Sequence, residues 1–293
     1  MSNPLSFRDF ASRHAIGHRI RRAACASAVA LGISLFGYGA GAVPIDSDLA
    51  ISGSLNMSTA SATGNVAQTG EVRTVVGGVT TSSAFGIGTP GTNPLAGVFT
   101  DTGDGIGFTT SLNAGPTSEF DFIIDLGINF ANSSATDTFT ITVRVNLSSI
   151  VDADGLDSYA ESQLDLEVNT VDQINSSIAS DTLFGDVSNG ASLGTFGAMI
   201  SDIFNTTFDI VLTPGGNAVL GDHHQWEGGV FDASGASLVD VMLDITIDNI
   251  VCTGPNCVDL PPSSVSEPGT LTMLATTALG FALLKTRRRR DRR

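Results

Sequence analysis

Lysine is almost missing from this 293-residue chain; the single one is Lys285. Arginine is scarce too, except at the two ends. Five arginines fall within residues 1–42 and seven basic residues within 285–293, which leaves Arg73 and Arg144 alone in 43–266. That middle stretch holds 27 of the 30 acids, so it carries about −25, against −16 for the whole chain. A body so negative has no counter-charge for a phosphate backbone, which excludes nucleic acid as its partner. Without a lysine it has neither a phosphate-binding P-loop nor a Schiff-base nucleophile. Cysteine is nearly absent as well: Cys25, Cys252 and Cys257 are the three. They supply no second pair for a structural zinc site. Two pattern matches fail on context. Gly86-Ile87-Gly88-Thr89-Pro90-Gly91 fits a dinucleotide fingerprint, but Pro90 and Pro94 stop the helix that must follow. Gly190-Ala191-Ser192-Leu193-Gly194 fits a nucleophile elbow without the strand and βαβ unit that elbow needs.

What is present begins with an export signal, residues 1–42. A long basic segment ends at Arg19-Ile20-Arg21-Arg22, and an apolar run from Ala23 to about Tyr38 follows. Ala40-Gly41-Ala42 is a small-x-small site that predicts cleavage before Val43. The run is short for crossing a hydrocarbon core of roughly 30 Å. Cys25 opens that run and leaves with it. At the other end, residues 259–265 form a Pro/Ser stalk, followed by Ser266-Glu267-Pro268-Gly269. An apolar segment, 269–284, is at the short limit of a membrane helix, and a basic tail occupies 285–293. By the positive-inside rule the arginines stay cytoplasmic and the body lies outside.

This C-terminal arrangement over residues 266–293 resembles the PEP-CTERM sorting signal of Gram-negative bacteria. Ser266 stands where the family has its first proline. The resemblance implies handling by an exosortase after the secretion machinery, with a transient stay of the C-terminal helix in the inner membrane. It implies processing near Glu267-Pro268 and delivery to the cell surface or extracellular matrix, in company with extracellular polysaccharide. A permanent tail anchor is the alternative.

Residues 43–258 read as one all-β ectodomain, an antiparallel β-sandwich. Strict alternation marks half-buried strands. Phe120, Phe122, Ile124, Leu126, Ile128 and Phe130 share one face, as do Phe139, Ile141, Val143, Val145 and Leu147. Leu164, Leu166 and Val168 alternate with Asp165, Glu167 and Asn169. Val239, Val241, Leu243, Ile245 and Ile247 face inward in the last strand, with Asp240, Asp244 and Asp248 facing out. Phe208, Ile210 and Leu212 run into the Pro214-Gly215 turn. Leu193, Phe196, Met199, Ile200 and Ile203 have helical spacing, which predicts a helix over 193–204 that Gly194 and Gly197 weaken. Residues 43–100 read as irregular short strands and loops. The part from Phe120 to Ile250 resembles the β-rich ectodomains that precede PEP-CTERM tails. The segments that carry this are 151–155, 212–215 and 246–250.

Three groups are candidate sites. Cys252 and Cys257 flank a tight reversal and predict a disulfide in an oxidising compartment. Asp152, Asp154, Asp157 and Glu161, with Gly155, are candidate Ca²⁺ ligands, and Asp101 and Asp104 form a second acidic loop. Neither has EF-hand register, and the alternative is a solvated loop. No other cofactor is implied. Asp222-His223-His224-Gln225-Trp226-Glu227 holds every histidine after residue 42 and the sole tryptophan. Adjacent histidines on a strand point to opposite faces, which is poor for sharing one zinc. An exposed Trp226 would stack on a sugar, and a buried one would simply pack in the core. Paired carboxylates for glycosidase chemistry have no distinguishing spacing here. The expected function is therefore an exported structural or binding protein without enzymatic activity. The alternative is a carbohydrate-binding module or carbohydrate-acting enzyme on the same sandwich.

Overall fold

Alternation with a period of two turns one side of each strand apolar, and burying those sides requires a second layer. The computed structural model describes residues 42–86 and 95–257, and within them the chain is all-β. The first half runs β1 (Leu49–Thr63), β2 (Val66–Val76), β3 (Val79–Phe85), β4 (Leu95–Phe99), β5 (Gly105–Ala114), β6 (Ser118–Asn132) and β7 (Thr138–Gly155). The second half runs β8 (Ser158–Val168), β9 (Val171–Asp181), β10 (Val187–Ser188), β11 (Ala191–Ser192), β12 (Ile200–Leu212), β13 (Asn217–Val230) and β14 (Gly235–Thr253).

They form two antiparallel sheets. One has the order β11-β10-β9-β8-β13-β6-β1-β4, the other β12-β7-β14-β5-β2-β3. The sheets face each other across one core, a β-sandwich arrangement. Phe108 of the second sheet meets Trp226 of the first at 5.4 Å between ring centroids, and Phe85 meets Phe122 at 6.1 Å. The alternating rows of β6, β7 and β14 are the centre of this core, from Phe120 through Phe130, Phe139 through Leu147, and Val239 through Ile247.

The registers place the chain's turns at two ends. Leu49 pairs with Asn132 and Thr253 with Thr138, so the described body is entered and left at the same end. The disulfide between Cys252 and Cys257 closes the last strand there. The opposite end carries the turns at 64–65, 115–117, 156–157 and 231–234 and the long connection 182–199.

Two expectations are corrected. Residues 193–204 contain no helix: Ile200 begins β12, and the residues before it are a loop. Gly194 and Gly197 have φ of +69° and +63°, outside helical geometry, so the apolar spacing never closes into one face. The described residues of 43–100 are largely regular strand: they supply β1 to β4, and β1 pairs with β6 from Leu49 to Thr63. Their small residues hide the alternation, because glycine seats large rings. Phe85, for example, lies over Gly70, where a Cβ would collide with it.

A third finding concerns the outer side of β14. Asp240 and Asp244 face away from the core, yet both are buried. Arg73 on β2 reaches across β5 to Asp244, with Nε to Oδ1 at 2.9 Å and Nη2 to Oδ2 at 2.5 Å. It crosses at Gly107, the partner of both Arg73 and Asp244, where a Cβ would strike the Asp244 carboxylate. Arg144 makes the matching pair with Asp248, at 3.0 and 2.8 Å, half in solvent. Both cations of the body are thus committed to carboxylates of its last strand. Removing Arg73 strands a buried carboxylate, so Arg73→Ala is expected to lose about 3 kcal/mol or more of stability. The double change Arg73→Met with Asp244→Leu should recover most of that loss in urea denaturation. A double variant no more stable than the single one would contradict this account.

Candidate functional site

The histidine–tryptophan segment falls on β13, near the middle of the first sheet, between β8 and β6. Alternation divides it. Asp222, His224 and Trp226 point into the core, while His223, Gln225 and Glu227 point to the outer face. Trp226 has no exposed surface and stacks on Phe122 at 5.4 Å. The sugar-stacking expectation for Trp226 is therefore corrected: its ring fills the sandwich centre, and no ligand at the surface can reach it.

Inside, one polar chain joins the two sheets. The Ser149 hydroxyl of β7 donates to Ser162 Oγ of β8 at 2.8 Å, and Ser162 Oγ lies 3.1 Å from His224 Nε2. His224 Nδ1, Trp226 Nε1 and both carboxyl oxygens of Asp222 have no hydrogen-bond partner among the described residues. Burial pushes the His224 imidazole down to about 3, with His223 beside it adding to the shift. Burial likewise drives the Asp222 carboxyl well above the usual carboxylate range, and Asp125 and Asp165 reinforce it. Both groups are held uncharged, as a dry core requires.

Outside, strand pairing assembles rows that are dispersed in the chain. Glu227 lies directly between Glu161 of β8 and Asp121 of β6, and His223 lies between Asp165 and Asp125. His223 Nδ1 is 2.9 Å from Asp125 Oδ1, and Gln225 donates from Nε2 to Glu227 at 2.5 Å. Gln163 donates to Glu161 in the same way. Glu227 is raised, first by partial burial and then by Asp121, Glu161 and Glu119. Tyr159 at the end of the face is pushed up to about 12 by burial and by Glu119 and Glu227. Opposed like charges on adjacent strands destabilise the sheet and attract cations.

The acidic loops behave differently from a calcium site. Asp152 and Asp154 sit on the outer side of β7, in the second sheet, and Glu161 on the outer side of β8, in the first. The four candidate ligands therefore do not converge, because the β7–β8 turn changes sheets at Asp157. Asp104 is buried, and its oxygens accept the backbone N–H groups of Gly77, Thr100 and Asp101 at 2.7 to 3.0 Å. That carboxylate organises its loop. Asp186 does the same for the connection 182–199, accepting from the N–H groups of Asp181, Gly197 and Ala198. Among the described residues no group of three or more His, Cys, Asp or Glu side chains is placed to hold a metal ion. Ala40, the cleavage site partner of Ala42 and Val43, and the sorting residues Ser266, Glu267, Pro268 and Gly269 lie outside the described residues, apart from Ala42 and Val43 themselves.

No protein-family model matches the sequence, and no curated protein matches it. Solved structures similar to it are those of infectious bursal disease virus, Gx strain and Gt strain, and of the VP2 subviral particle of that virus. Identities are 12%, 10% and 10%, over 83%, 83% and 85% of this chain and 75%, 74% and 75% of those chains. With TM-scores of 0.17, 0.16 and 0.18, these likenesses carry no argument.

The buried pair sets the pH dependence of stability. In the unfolded chain His224 gains a proton near pH 6.5, whereas the folded core refuses it until about 3. Its contribution is present above 6.5 and is lost as pH falls from 6.5 to 3, by up to about 1.4 kcal/mol per unit. Asp222 acts oppositely, since its raised value makes it a burden at pH above the unfolded carboxylate range. Asp222→Leu should therefore stabilise at pH 7 by an amount that shrinks toward pH 4, and His224→Leu should flatten the acid limb. Denaturant titrations at several pH values measure both slopes.

Proposed function

We propose that this protein is an exported, non-enzymatic component of the cell surface or extracellular matrix of a Gram-negative bacterium, released from the inner membrane by an exosortase. The carrying observation is the order of features that follows the disulfide-closed last strand. These are a Pro/Ser stalk, Glu267-Pro268, a short apolar segment and a terminal arginine cluster. Among the described residues no helix is long and apolar enough to cross a membrane, and the segment proposed to do so, 269–284, lies outside them. The geometry of the body suits display from such a tail, because the chain enters and leaves it at one end. Mass spectrometry of the mature C-terminus tests the reading: the terminus is expected near Glu267, and a chain still ending at Arg293 overturns processing.

The acidity of the body adds a second role in this reading. A surface of about −25 gathers divalent cations beside an anionic polysaccharide without a built chelate. Ca²⁺ and Mg²⁺ are then expected to raise the melting temperature equally at equal millimolar concentration. A clear preference for Ca²⁺ would point instead to a discrete site.

A further inference from the structure

A sheet ends in strands whose outer N–H and C=O groups have no neighbour, and natural sandwiches blunt such edges by short length, lysine, proline or bulges. Three of the four edges here are short: β11 has 2 residues, β4 has 5 and β3 has 7. The fourth, β12, has 13 residues and pairs with β7 in one unbroken register from Ile200 to Leu212. It holds no lysine and no proline, and no described strand pairs with its other side. Its outward row is Ser201, Ile203, Asn205, Thr207, Asp209 and Val211, with Ile203 67% and Val211 60% exposed. The flank is open on the inside as well. Phe204 and Phe208 face the core yet are only half-buried, and Thr206 between them is exposed. The opposite sheet is narrow beside them, because β10 extends β9 only at Ile178 and Ala179.

We propose that β12 is the edge at which a second copy of this chain docks, the two β12 strands pairing antiparallel about a two-fold axis through Thr207. The two six-stranded sheets then become one. The groups left free on β12 are backbone donors and acceptors, so what covers them is an extended strand. The strand's own sequence matches that need. With Thr207 opposite Thr207, the outward row sets Ile203 on Val211 and Asn205 on Asp209, each twice by symmetry. The two exposed apolar side chains of the edge thus meet one another. Asn205 Oδ1 already accepts from Arg144, which leaves its amide N–H groups to donate to Asp209 of the second copy. No carboxylate opposes a carboxylate, and Asp202 stays outside the 203–211 pairing, held by Ser176 and Asn189. On the inner side the same register brings Phe208 beside Thr206 and Phe204 beside Ile210, which covers the half-open phenylalanines. The neighbouring registers set Ile203 against Asp209 or Val211 against Asn205 and lose the apolar contact.

The test uses the full exported chain, its native disulfide intact, with single added cysteines under mild oxidation. Opposed Cα atoms lie roughly 5 Å apart across an antiparallel pair, within reach of a disulfide. Thr207→Cys is therefore expected to give a disulfide-linked dimer. Asn205→Cys should not, because the same register holds its two copies about 13 Å apart along the strand. Ser82→Cys on the β3 edge should not either. All three positions are exposed, so none of these changes threatens folding. The unaltered chain should sediment as a dimer, and Ile203→Glu should weaken it about tenfold, as two lost cross-strand pairs imply. Adding Val211→Lys to Ile203→Glu should restore the dimer, since the two new charges oppose each other only across the two-fold axis. A monomeric unaltered chain, or equal disulfide yields from Thr207→Cys and Asn205→Cys, would overturn the proposal. So would a double variant that dimerises as weakly as Ile203→Glu alone.

Discussion

Twenty-seven carboxylates and two arginines share residues 43–266, and that ratio determines how every buried acid is accommodated. There are not enough cations to pair them. Arg73 and Arg144 are each taken by a carboxylate of β14, Asp244 in the interior of an outer face and Asp248 at its margin. Asp104 and Asp186 are satisfied by backbone N–H groups, which neutralise charge through dipoles and in doing so shape their loops. Asp222 has neither partner, and its environment keeps it protonated. Ion pair, amide cradle and bound proton are three separate answers to one shortage. Two further buried acids use neutral side-chain donors, Asp137 the hydroxyls of Ser134 and Thr136 and Asp240 that of Ser111, and most of the remainder lie nearer the surface, where water and salt screen them.

The sandwich was legible wherever large residues made the alternation visible. β6, β7 and β14 could be traced residue by residue, because Phe, Ile, Leu and Val take every inward position. The first 60 residues of the body were not legible, because glycine interrupts the inward rows where rings from other strands lie, Gly53 under Phe99 and Gly70 under Phe85. Periodicity cannot register a ring that arrives from elsewhere, as Phe85 does over Gly70. The segment 193–204 misled in the opposite way. Its apolar residues do recur at helical spacing, but the left-handed glycines between them put Phe196 in solvent.

Of the candidate sites, the local one was readable and the assembled ones were not. Cys252 and Cys257 lie close enough in sequence for the disulfide to be expected directly. The opposite orientations of His223 and His224 follow from strand geometry alone. By contrast, the row Glu161, Glu227 and Asp121 exists only because β13 pairs with β8 and β6, and no spacing within any one segment announces it. Asp104 looked like a metal ligand for the same reason. Its composition was visible, but the N–H group of Gly77 that occupies its oxygen comes from another turn.

The near-absence of basic residues in 43–266 limits where the body can be cut or chemically modified. Proteases that cut after lysine or arginine have two addresses in the body, Arg73 and Arg144. Both lie within paired strands, with their guanidinium groups already engaged. A protease needs its target segment extended and free, which here requires opening a sheet. The same poverty in lysine removes the side-chain amines that reducing sugars and aldehydes attack. A fold assembled without lysine therefore offers neither attack an easy start, a property that suits the exported role proposed above.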